Sequence, residues 1–244
     1  DFNSVDDAIN DLEKAVSLDN KYALAYSYLG LAKLYKDSVS GLTEMNRAIE
    51  LQPKSAVSYF NRASFYQSQR ELKKAIADYT QAILLHGTKP AYYNARGMAH
   101  FRSGDGVAAV QDFSTAVAQN PTFARGYFNR AYTYKKFPAA AADPYIERGL
   151  MRSTSTGINI DGLDAETIAE LNLALADFQQ AIKLNPKSAE AFNGRASCYD
   201  QLGKKDLALA DYTKAIELDP NLATAYMGRM AIYCEMGKKE LSFA

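Results

Sequence analysis

The residues that could carry chemistry in this sequence are few, and their spacing is not that of a catalytic or metal site. The two histidines, His86 and His100, have no second histidine or cysteine at the spacing that zinc sites use. We interpret the two cysteines, Cys198 and Cys234, as small buried thiols. No phosphate-loop, HExxH or GxGxxG motif is present. The sequence therefore predicts a chain that is not an enzyme and that holds no cofactor or metal ion.

Two charged residue types recur in regular columns along the chain. Their recurrence predicts Arg–Asp ion pairs, within one unit or to the next, that fix the register of the fold while the arginine stem packs as an apolar side chain would. The alternative is a ligand-binding role for these charges. The candidate structural pairs come from Arg62, Arg96, Arg130, Arg195, Asp78, Asp112, Asp177 and Asp211.

These columns belong to an internal repeat of 34 residues. Similar amphipathic runs end at Pro186 and Pro220, 34 residues apart, and at Pro53 and Pro121, 68 residues apart. An aromatic residue recurs at the fourth position of each unit, a small residue at the eighth, and alanine at the twentieth and twenty-seventh. Aromatic knobs beside small residues predict pairs of closely packed helices, each pair ended by a helix breaker. Such pairs bury their apolar faces only by stacking on neighbouring pairs.

With these columns, and with YFNRASFY (59–66) followed by AIADYTQAI (75–83), the chain resembles the tetratricopeptide repeat (TPR) family. The resemblance covers nearly the whole chain except roughly residues 137–167. It implies an all-α fold, a right-handed α-solenoid of antiparallel helix pairs (the TPR superhelix). The first helix of each pair is then expected to line a concave groove.

The predicted organisation is a single TPR solenoid fragment over residues 1–244. The first complete repeat is one residue short and has Gly41 and Met45 at unusual positions, so its second helix is expected to pack loosely or slightly rotated. Both ends fall within repeats, and Asp1 is not a methionine, so we expect a longer intact protein. The predicted segments are 4–18 (second helix of a truncated repeat), 23–55, 56–89, 90–123, 124–188, 189–222 and 223–244 (a truncated last repeat).

The fourth repeat contains an insertion, at about 137–167, between its two helices. Within it, an aspartate followed by a proline predicts a short helix at 144–152, and the polar segment 153–162 predicts a loop. Asp164 is expected to cap a second helix over 165–184. The insertion is either a functional arm or a tolerated surface loop.

Ser155 is a candidate regulatory residue in this insertion. Arg152 lies three residues before it, a spacing that basophilic kinases accept. A phosphate there would add negative charge beside arginines and could order or release the insertion.

The resemblance also predicts which side chains face the groove. The predicted groove mixes asparagines with aromatics, is basic near the third and fourth repeats, and is more acidic towards the C-terminal end. Asparagine pairs with an extended peptide backbone and aromatics supply anchoring area, so a peptide or helix is the predicted ligand. The alternative is a solvated face without a fixed ligand. The candidate groove residues are Tyr28, Phe60, Asn61, Asn94, Arg102, Arg125, Phe128, Asn129, Tyr132, Lys135, Lys136 and Asn193.

One known mode of the family is not expected here. Chaperone-binding TPR proteins hold a C-terminal tail in a two-carboxylate clamp built from Lys, Asn, Asn, Lys and Arg. The corresponding positions are Ser27, Leu31, Asn61, Ala91 and Ala95, or, starting from the third repeat, Asn94, Met98, Asn129, Glu190 and Gly194. Only the middle asparagine is retained in each set, so we do not expect chaperone C-terminal tails to bind through this clamp.

Composition excludes further classes of protein. Lys plus Arg is 28 and Asp plus Glu is 28, so the formal net charge is zero, whereas a general nucleic-acid binder carries a basic excess. No stretch of about 18 apolar residues is present, so no membrane span is predicted. Two cysteines do not make a disulfide scaffold. The predicted location is cytoplasmic, with a cytoskeletal or ciliary assembly as the alternative.

Three functions remain compatible with the sequence. The first is a non-catalytic protein–protein interaction scaffold that binds partners through the groove, the insertion at 137–167, or both. The second is a structural component of a large cytoskeletal or ciliary assembly. The third is the substrate-recruiting arm of a larger enzyme. The predicted partners are other proteins, bound as extended peptides, helices or assembly subunits, and not nucleic acid.

Overall fold

The computed structural model describes residues 2–34, 36–137 and 163–237, and within them the chain forms helices joined by turns. The first six helices are α1 Phe2–Leu18, α2 Ala23–Lys33, α3 Ser38–Leu51, α4 Ala56–Ser68, α5 Leu72–Leu85 and α6 Pro90–Ser103. The next six are α7 Gly106–Gln119, α8 Ala124–Lys136, α9 Ala165–Leu184, α10 Ala189–Gln201, α11 Lys205–Leu218 and α12 Ala223–Glu235. The predicted helix at 144–152, and the predicted loop at 153–162 with Ser155, lie outside the described residues.

The helices form two compact units, unit 1 (Asp1–Asp105) and unit 2 (Gly106–Ala244). In unit 1, α2 packs on α3 and α4 packs on α5, each as an antiparallel pair, and α5 packs on α6. In unit 2, α8 packs on α9 and α10 packs on α11, and α11 packs on α12. The predicted all-α fold of stacked helix pairs is confirmed.

Short polar side chains fix where several helices begin. Each accepts a hydrogen bond from the backbone N–H three residues later, which satisfies a donor that the first turn of a helix leaves unpaired. These caps are Asp37 at α3, Ser55 at α4, Asp164 at α9 and Ser188 at α10. The same residue types therefore position the first helix of one repeat and the second helix of another.

The repeating columns of the sequence form the core. The alanines let neighbouring helices approach closely, and the aromatic side chains between them fill the space. The buried alanines include Ala75, Ala82, Ala109, Ala116, Ala174, Ala181, Ala208 and Ala215. The buried aromatics of the second helices include Tyr79, Phe113, Phe178 and Tyr212, each at most 4% exposed. Burying one such aromatic side chain stabilises the fold by about 1.5–3 kcal/mol.

Helix α9 confirms the second helix predicted over 165–184. It has 20 residues, six more than the 14 residues of α5. Its cap is the Asp164 carboxylate, whose Oδ1 accepts the Thr167 N–H at 2.7 Å. Leu163 and Ile168 pack against the core cluster that contains Phe178. The chain therefore re-enters the repeat after the insertion through a capped and packed helix start.

The loose packing expected for the first complete repeat is wrong. A Cβ atom placed on Gly30 of α2 would lie 2.5 Å from the carbonyl oxygen of Gly41 in α3 and 2.5 Å from Cγ of Met45. Met45 itself is fully buried. The two glycines face each other, so α2 and α3 approach more closely than two alanines would allow, and the flexible methionine fills the remaining space.

Candidate functional site

The charged columns form ion pairs inside the repeats. Arg62, Arg130 and Arg195 each donate two hydrogen bonds, from Nε and from Nη2, to the two oxygens of one aspartate in the second helix of the same repeat. The Nε–Oδ2 distances are 2.6 Å for Arg62–Asp78, 2.6 Å for Arg130–Asp177 and 2.7 Å for Arg195–Asp211. The second bond is 2.8 Å in all three pairs. These three aspartates are each 7% exposed, and Asp112 is 4% exposed.

Three arginines of this column, Arg62, Arg96 and Arg130, also bond to the preceding helix pair. Nη1 of Arg62 donates to the Asn46 side chain at 2.9 Å. Nη1 of Arg130 donates to Ser114 at 3.0 Å, and that of Arg96 donates to Thr80 at 3.1 Å. Each of these arginines therefore ties its own first helix to the second helix of the preceding repeat. The guanidinium groups of these arginines are therefore engaged in contacts between the helices of the repeats.

Aromatic rings flank the arginines. The guanidinium carbon of Arg62 lies 5.7 Å from the ring centre of Tyr59 and 5.9 Å from that of Tyr66. The hydrogen bonds to Asp78 raise the pKa of Arg62 further above its ordinary value. A permanently charged guanidinium is thus held by a carboxylate on one side and by ring faces on the others.

In unit 1, the predicted groove residues divide into exposed and internal side chains. Tyr28 is 45% exposed, and Arg102 is exposed. Phe60 is half-buried and stacks on Tyr92 with 4.8 Å between ring centres. Asn94 is half-buried.

Asn61 differs from the sequence interpretation. Its side chain is 5% exposed, and its Nδ2 donates to Ser27 Oγ at 2.9 Å. The amide therefore links two neighbouring first helices, α2 and α4, instead of facing open solvent. Asn61 was predicted to face the groove from its position in the repeat. The repeat pattern does not specify which neighbouring side chain its amide contacts.

In unit 2, helix α8 presents an exposed aromatic stack. Phe128 and Tyr132 lie one turn apart, with ring centres 6.4 Å apart and planes 11° from parallel. Tyr132 is 45% exposed. Phe128 is half-buried and meets Phe178 of the core edge-on at 5.8 Å. The contact with Phe178 fixes the position of Phe128, and the ring of Tyr132 faces solvent.

Basic side chains flank this stack along α8. Arg125 precedes it and is exposed. Lys135 follows it, is half-buried, and donates to Ser197 Oγ of α10 at 2.6 Å. Burial lowers the pKa of Lys135. Lys136 is exposed, and its Nζ lies 5.9 Å from the ring centre of Phe137.

The facing helix, α10, carries amide and acidic groups that are partly paired. Asn193 is half-buried and donates to Thr224 at 3.2 Å, whereas its Oδ1 is buried and accepts no hydrogen bond from the described residues. Lys205 bridges Asp200 at 2.7 Å and Glu235 at 2.6 Å. The acidic charge predicted at the C-terminal end is therefore partly neutralised by this lysine.

A pocket of about 210 Å³ opens beside the aromatic stack, where the start of α8 faces the turn from α9 to α10. Its lining combines two predicted groove residues, Arg125 and Phe128, with residues of the end of α9, the following turn and the start of α10. The lining residues are Ala124, Arg125, Phe128, Ala181, Asn185, Ser188 and Glu190. The groove pattern indicated Arg125 and Phe128 but missed Glu190 and the residues of α9 and the turn, and α9 lay outside the pattern because the pattern is restricted to first helices.

The polar groups of this pocket differ in whether they have hydrogen-bond or ion-pair partners within the described chain. Ser188 caps α10 and also donates to Glu190 Oε2 at 3.3 Å. The Asn185 side chain accepts the Lys187 N–H at 3.3 Å. Within the described part of the chain, no carboxylate pairs with Arg125. The pocket is therefore lined by an aromatic ring, by a carboxylate that accepts a hydrogen bond from Ser188, and by a guanidinium that has no carboxylate partner among the described residues.

Titratable groups outside the pocket correct one prediction and add one residue. Cys198 is buried, and burial raises its pKa to about 11, but Cys234 is exposed, so the prediction of two buried thiols is wrong for Cys234. The face of α12 that carries Cys234 has no helix beyond it among the described residues. Glu170 of α9 is only 3% exposed, and burial, followed by the charges of Glu166 and Asp164, raises its pKa to about 7.

Across the described ranges, no group of three or more His, Cys, Asp and Glu side chains is arranged to hold a metal ion. The described helices include none that is both long and apolar enough to cross a membrane.

The predicted groove residue Asn129 is half-buried on α8.

Comparisons with known proteins agree with the repeat geometry. Two family models, both described as tetratricopeptide repeat, match residues 189–222 and 44–77. The chain is 26% identical over 247 residues to human Tetratricopeptide repeat protein 6, an alignment that covers 81% of this chain and 47% of the relative. It is 25% identical over 211 residues to Hsp70-Hsp90 organizing protein 3 of Arabidopsis thaliana, covering 82% of this chain and 37% of the relative. The chain thus spans about half or less of the length of these relatives.

Among solved structures, the chain is similar to YrrB, described as a TPR protein with an unusual peptide-binding site. The TM-score is 0.61 at 17% identity, and the match covers 89% of this chain and 97% of YrrB. At this identity the likeness concerns the fold alone.

Proposed function

Since this chain is a tetratricopeptide repeat protein, we propose that it is a non-catalytic scaffold that binds other proteins, and that α8 of unit 2 is a contact surface. The observation that carries the proposal is the Phe128–Tyr132 stack beside the pocket, in which Tyr132 is exposed and Phe128 is half-buried. Large aromatic side chains held in place by a core contact are typical anchors of protein interfaces. Fixing the anchor in the free protein also lowers the entropy lost on binding.

The charged residues support a distinction between arginines that hold the helices together and an arginine that is available to a partner. Arg130 is bound to Asp177 and Ser114 within the frame, whereas Arg125, on the same helix, has no described carboxylate partner. A cation without a structural partner costs little to retain at the surface and can pair with a bound protein. The proposal therefore assigns the arginine column to the fold, and Arg125 with the aromatic stack to binding.

The chaperone-related names among the relatives suggest one class of partner, which the clamp positions do not favour. The positions that should carry the second lysine and the arginine of a carboxylate clamp are Ala91 and Ala95, or Glu190 and Gly194. At the remaining asparagine of the first set, the Asn61 amide is already bonded to Ser27. We therefore propose that partners bind without a carboxylate clamp.

The second candidate function is a structural part of a larger assembly. Its support is the set of apolar side chains exposed on second helices, Leu84 at 74%, Leu173 at 38% and Leu207 at 50%. Isolated exposed leucines are common on any surface, so this support is weaker than that of the aromatic stack.

The two free cysteines are consistent with the proposed cytoplasmic location.

Site-specific photo-crosslinking separates the two functions. A photoreactive phenylalanine analogue would replace Tyr132 on α8 in one variant and Leu207 on α11 in a matched one, and each would be irradiated in extract of the producing cells. Capture of a partner from position 132 but not from 207 supports the proposal. Capture from 207 alone favours a structural role through the second helices and overturns it.

A deletion tests the insertion separately. Removing 138–162 keeps both Phe137 and the Leu163–Asp164 start of α9. If the partner is still captured from position 132, the insertion is not the docking device. If capture is lost while circular dichroism and melting remain unchanged, the insertion carries the contact.

A further inference from the structure

We propose that the pocket between α8, α9 and α10 binds one apolar side chain of an internal peptide segment of the partner, and that Arg125 pairs with a single acidic residue next to that side chain. This inference rests on the proposed function, because it names the kind of peptide that the α8 surface takes. It is carried by the size of the pocket, by its wall and by its two charges.

The size of the pocket favours one side chain over a free small molecule. Its volume is about 210 Å³. Sites for drug-sized ligands usually enclose about 300–1,000 Å³. At about 30 Å³ for each water of the liquid, the pocket corresponds to roughly seven waters, which is space for a leucine or phenylalanine side chain.

One part of the pocket wall is apolar and fixed before binding. Phe128 is held edge-on against Phe178, which has no exposed surface. Ala124 and Ala181 also line the pocket and add small apolar surfaces. Displacing water from such a wall by an apolar side chain is favourable by about 25 cal/mol for each Å² removed from water.

The charges specify what accompanies the apolar side chain. Arg125 is exposed at the pocket and lacks a carboxylate partner among the described residues, so an acidic residue adjacent to the anchor finds a guanidinium that loses no existing bond. Glu190 also lines the pocket. Its negative charge disfavours a run of acidic residues or a terminal carboxylate across the pocket. The preferred segment is therefore apolar with one acidic neighbour, inside a chain.

Three blocked dipeptides test the inference on the whole 1–244 chain labelled with nitrogen-15. They are N-acetyl-Asp-Leu-amide, N-acetyl-Lys-Leu-amide and N-acetyl-Asp-Ser-amide. We expect the first to shift the backbone amide signals of 124–128 and 188–190, and to bind roughly threefold or more tightly than the other two, as an exposed charge pair and a buried apolar side chain imply. Equal binding of all three, or shifts confined to other helices, would overturn the inference.

Variants separate the charge from the cavity. Arg125→Glu should reverse the preference, so that the Lys-Leu probe binds more tightly than the Asp-Leu probe. Ala124→Leu should fill the pocket and weaken both. Lys183→Gln, which removes an exposed cation of the same unit outside the pocket, should change neither. An unchanged preference in Arg125→Glu, with the amide spectrum of a folded chain, contradicts the assigned role.

The outcome is distinguishable from that of the proposed function. If crosslinking from position 132 captures a partner but the dipeptides show no preference, the scaffold function stands and the pocket inference fails. If the Asp-Leu probe binds with the expected charge dependence but no partner is captured from position 132, the pocket inference stands and the proposed function fails.

Discussion

Arg130 and Asp177 form the same two-bonded ion pair as Arg62 and Asp78, although 47 residues separate the first pair along the chain and 16 the second. The Nε–Oδ2 distance is 2.6 Å in both. The insertion in the fourth repeat therefore leaves the ion pair between the two helices of that repeat unchanged. Because a loop adds closure entropy only slowly with its length, such an insertion costs the fold little if both helix ends are kept.

Removal of one partner from this pair should destabilise unit 2 strongly. Asp177→Asn leaves the Arg130 guanidinium, whose side chain is 20% exposed, without its charge partner. We expect a loss of about 3 kcal/mol in the free energy of unfolding, the lower end for a broken buried pair. Urea denaturation measures it, with Asp206→Asn at an exposed carboxylate as the control, which should stay within about 0.5 kcal/mol.

The double variant decides whether the pair provides stability or only register. Arg130→Met with Asp177→Leu removes both charges and supplies apolar groups, which often restores stability at buried ion pairs. We expect at least half of the loss in Asp177→Asn to be recovered. A double variant as unstable as the single one would mean that hydrogen bonds to Ser114 and the aromatic contacts, and not charge burial, dominate at this position.

The close contact of Gly30 with Gly41 predicts a second effect. An alanine usually gains about 1 kcal/mol over glycine within a helix. At Gly30, however, its Cβ would lie 2.5 Å from a backbone oxygen of α3, and backbone cannot move aside cheaply. Overpacking of this kind costs about 1–3 kcal/mol, so we expect Gly30→Ala to lower thermal stability. Asn10→Ala, on the exposed side of α1, is the control; a stabilised Gly30→Ala chain would show that the pair can separate.

The sequence was informative wherever a repeat column determined an environment. The bounds of α9 followed from Asp164 and from the position of Ala174. The columns of arginine and aspartate indicated that Arg–Asp pairs form, within one unit or to the next, and three such pairs lie within one unit. These features depend on helix periodicity and on residue chemistry, which a single sequence contains.

The sequence was less informative wherever an environment depends on a neighbour that the pattern does not describe. Asn61 is buried because Ser27, one repeat earlier, accepts its amide hydrogen. Cys234 lies two positions further along its helix than Cys198 does in the preceding repeat, and it is exposed on a face that no further helix covers among the described residues. The pocket needs Asn185 and Ser188 from a turn, whose conformation sets their position.

The buried carboxyl group of Glu170 should make stability depend on pH in an unusual direction. Its pKa is raised to about 7, above its ordinary 4.5, so the folded chain holds a proton that the unfolded chain has already released. Stability is therefore lost as pH rises from about 4.5 to about 7. Glu170→Gln should remove this loss and be more stable than the parent at pH 8 by about 1–2 kcal/mol, since part of the shift comes from exposed charges that salt screens.

Urea denaturation of both chains at pH 5 and pH 8 measures this difference. At pH 5 the two chains should be nearly equal, because the parent carboxyl group is then neutral when folded. Glu166→Gln provides a matched control on the same helix, since it removes an exposed charge and should lower only the smaller part of the pKa shift. A parent chain that is as stable at pH 8 as at pH 5 would contradict the assignment.

The Asp164 cap should control the order of the first turn of α9. Its carboxylate accepts the Thr167 N–H at 2.7 Å, and this bond lowers the pKa of Asp164. The cap is therefore complete above the ordinary carboxyl pKa and is lost as pH falls through the lowered value. We expect Asp164→Ala to speed hydrogen exchange at Thr167 severalfold at neutral pH, whereas Asp164→Asn, which can still accept the bond, should change it little. Equal exchange in both variants would contradict the cap.

The two cysteines should react at very different rates. Cys198 is buried and its pKa is raised to about 11, so at pH 8 it carries almost no thiolate and is shielded from reagents, whereas Cys234 is exposed. With iodoacetamide at pH 8, intact mass should show one rapid addition and a second at least about a hundredfold slower, since the second requires local unfolding. Cys234→Ser should abolish the rapid addition, and urea should accelerate the slow one. Two rapid additions in native buffer would show that α10 does not stay packed over Cys198.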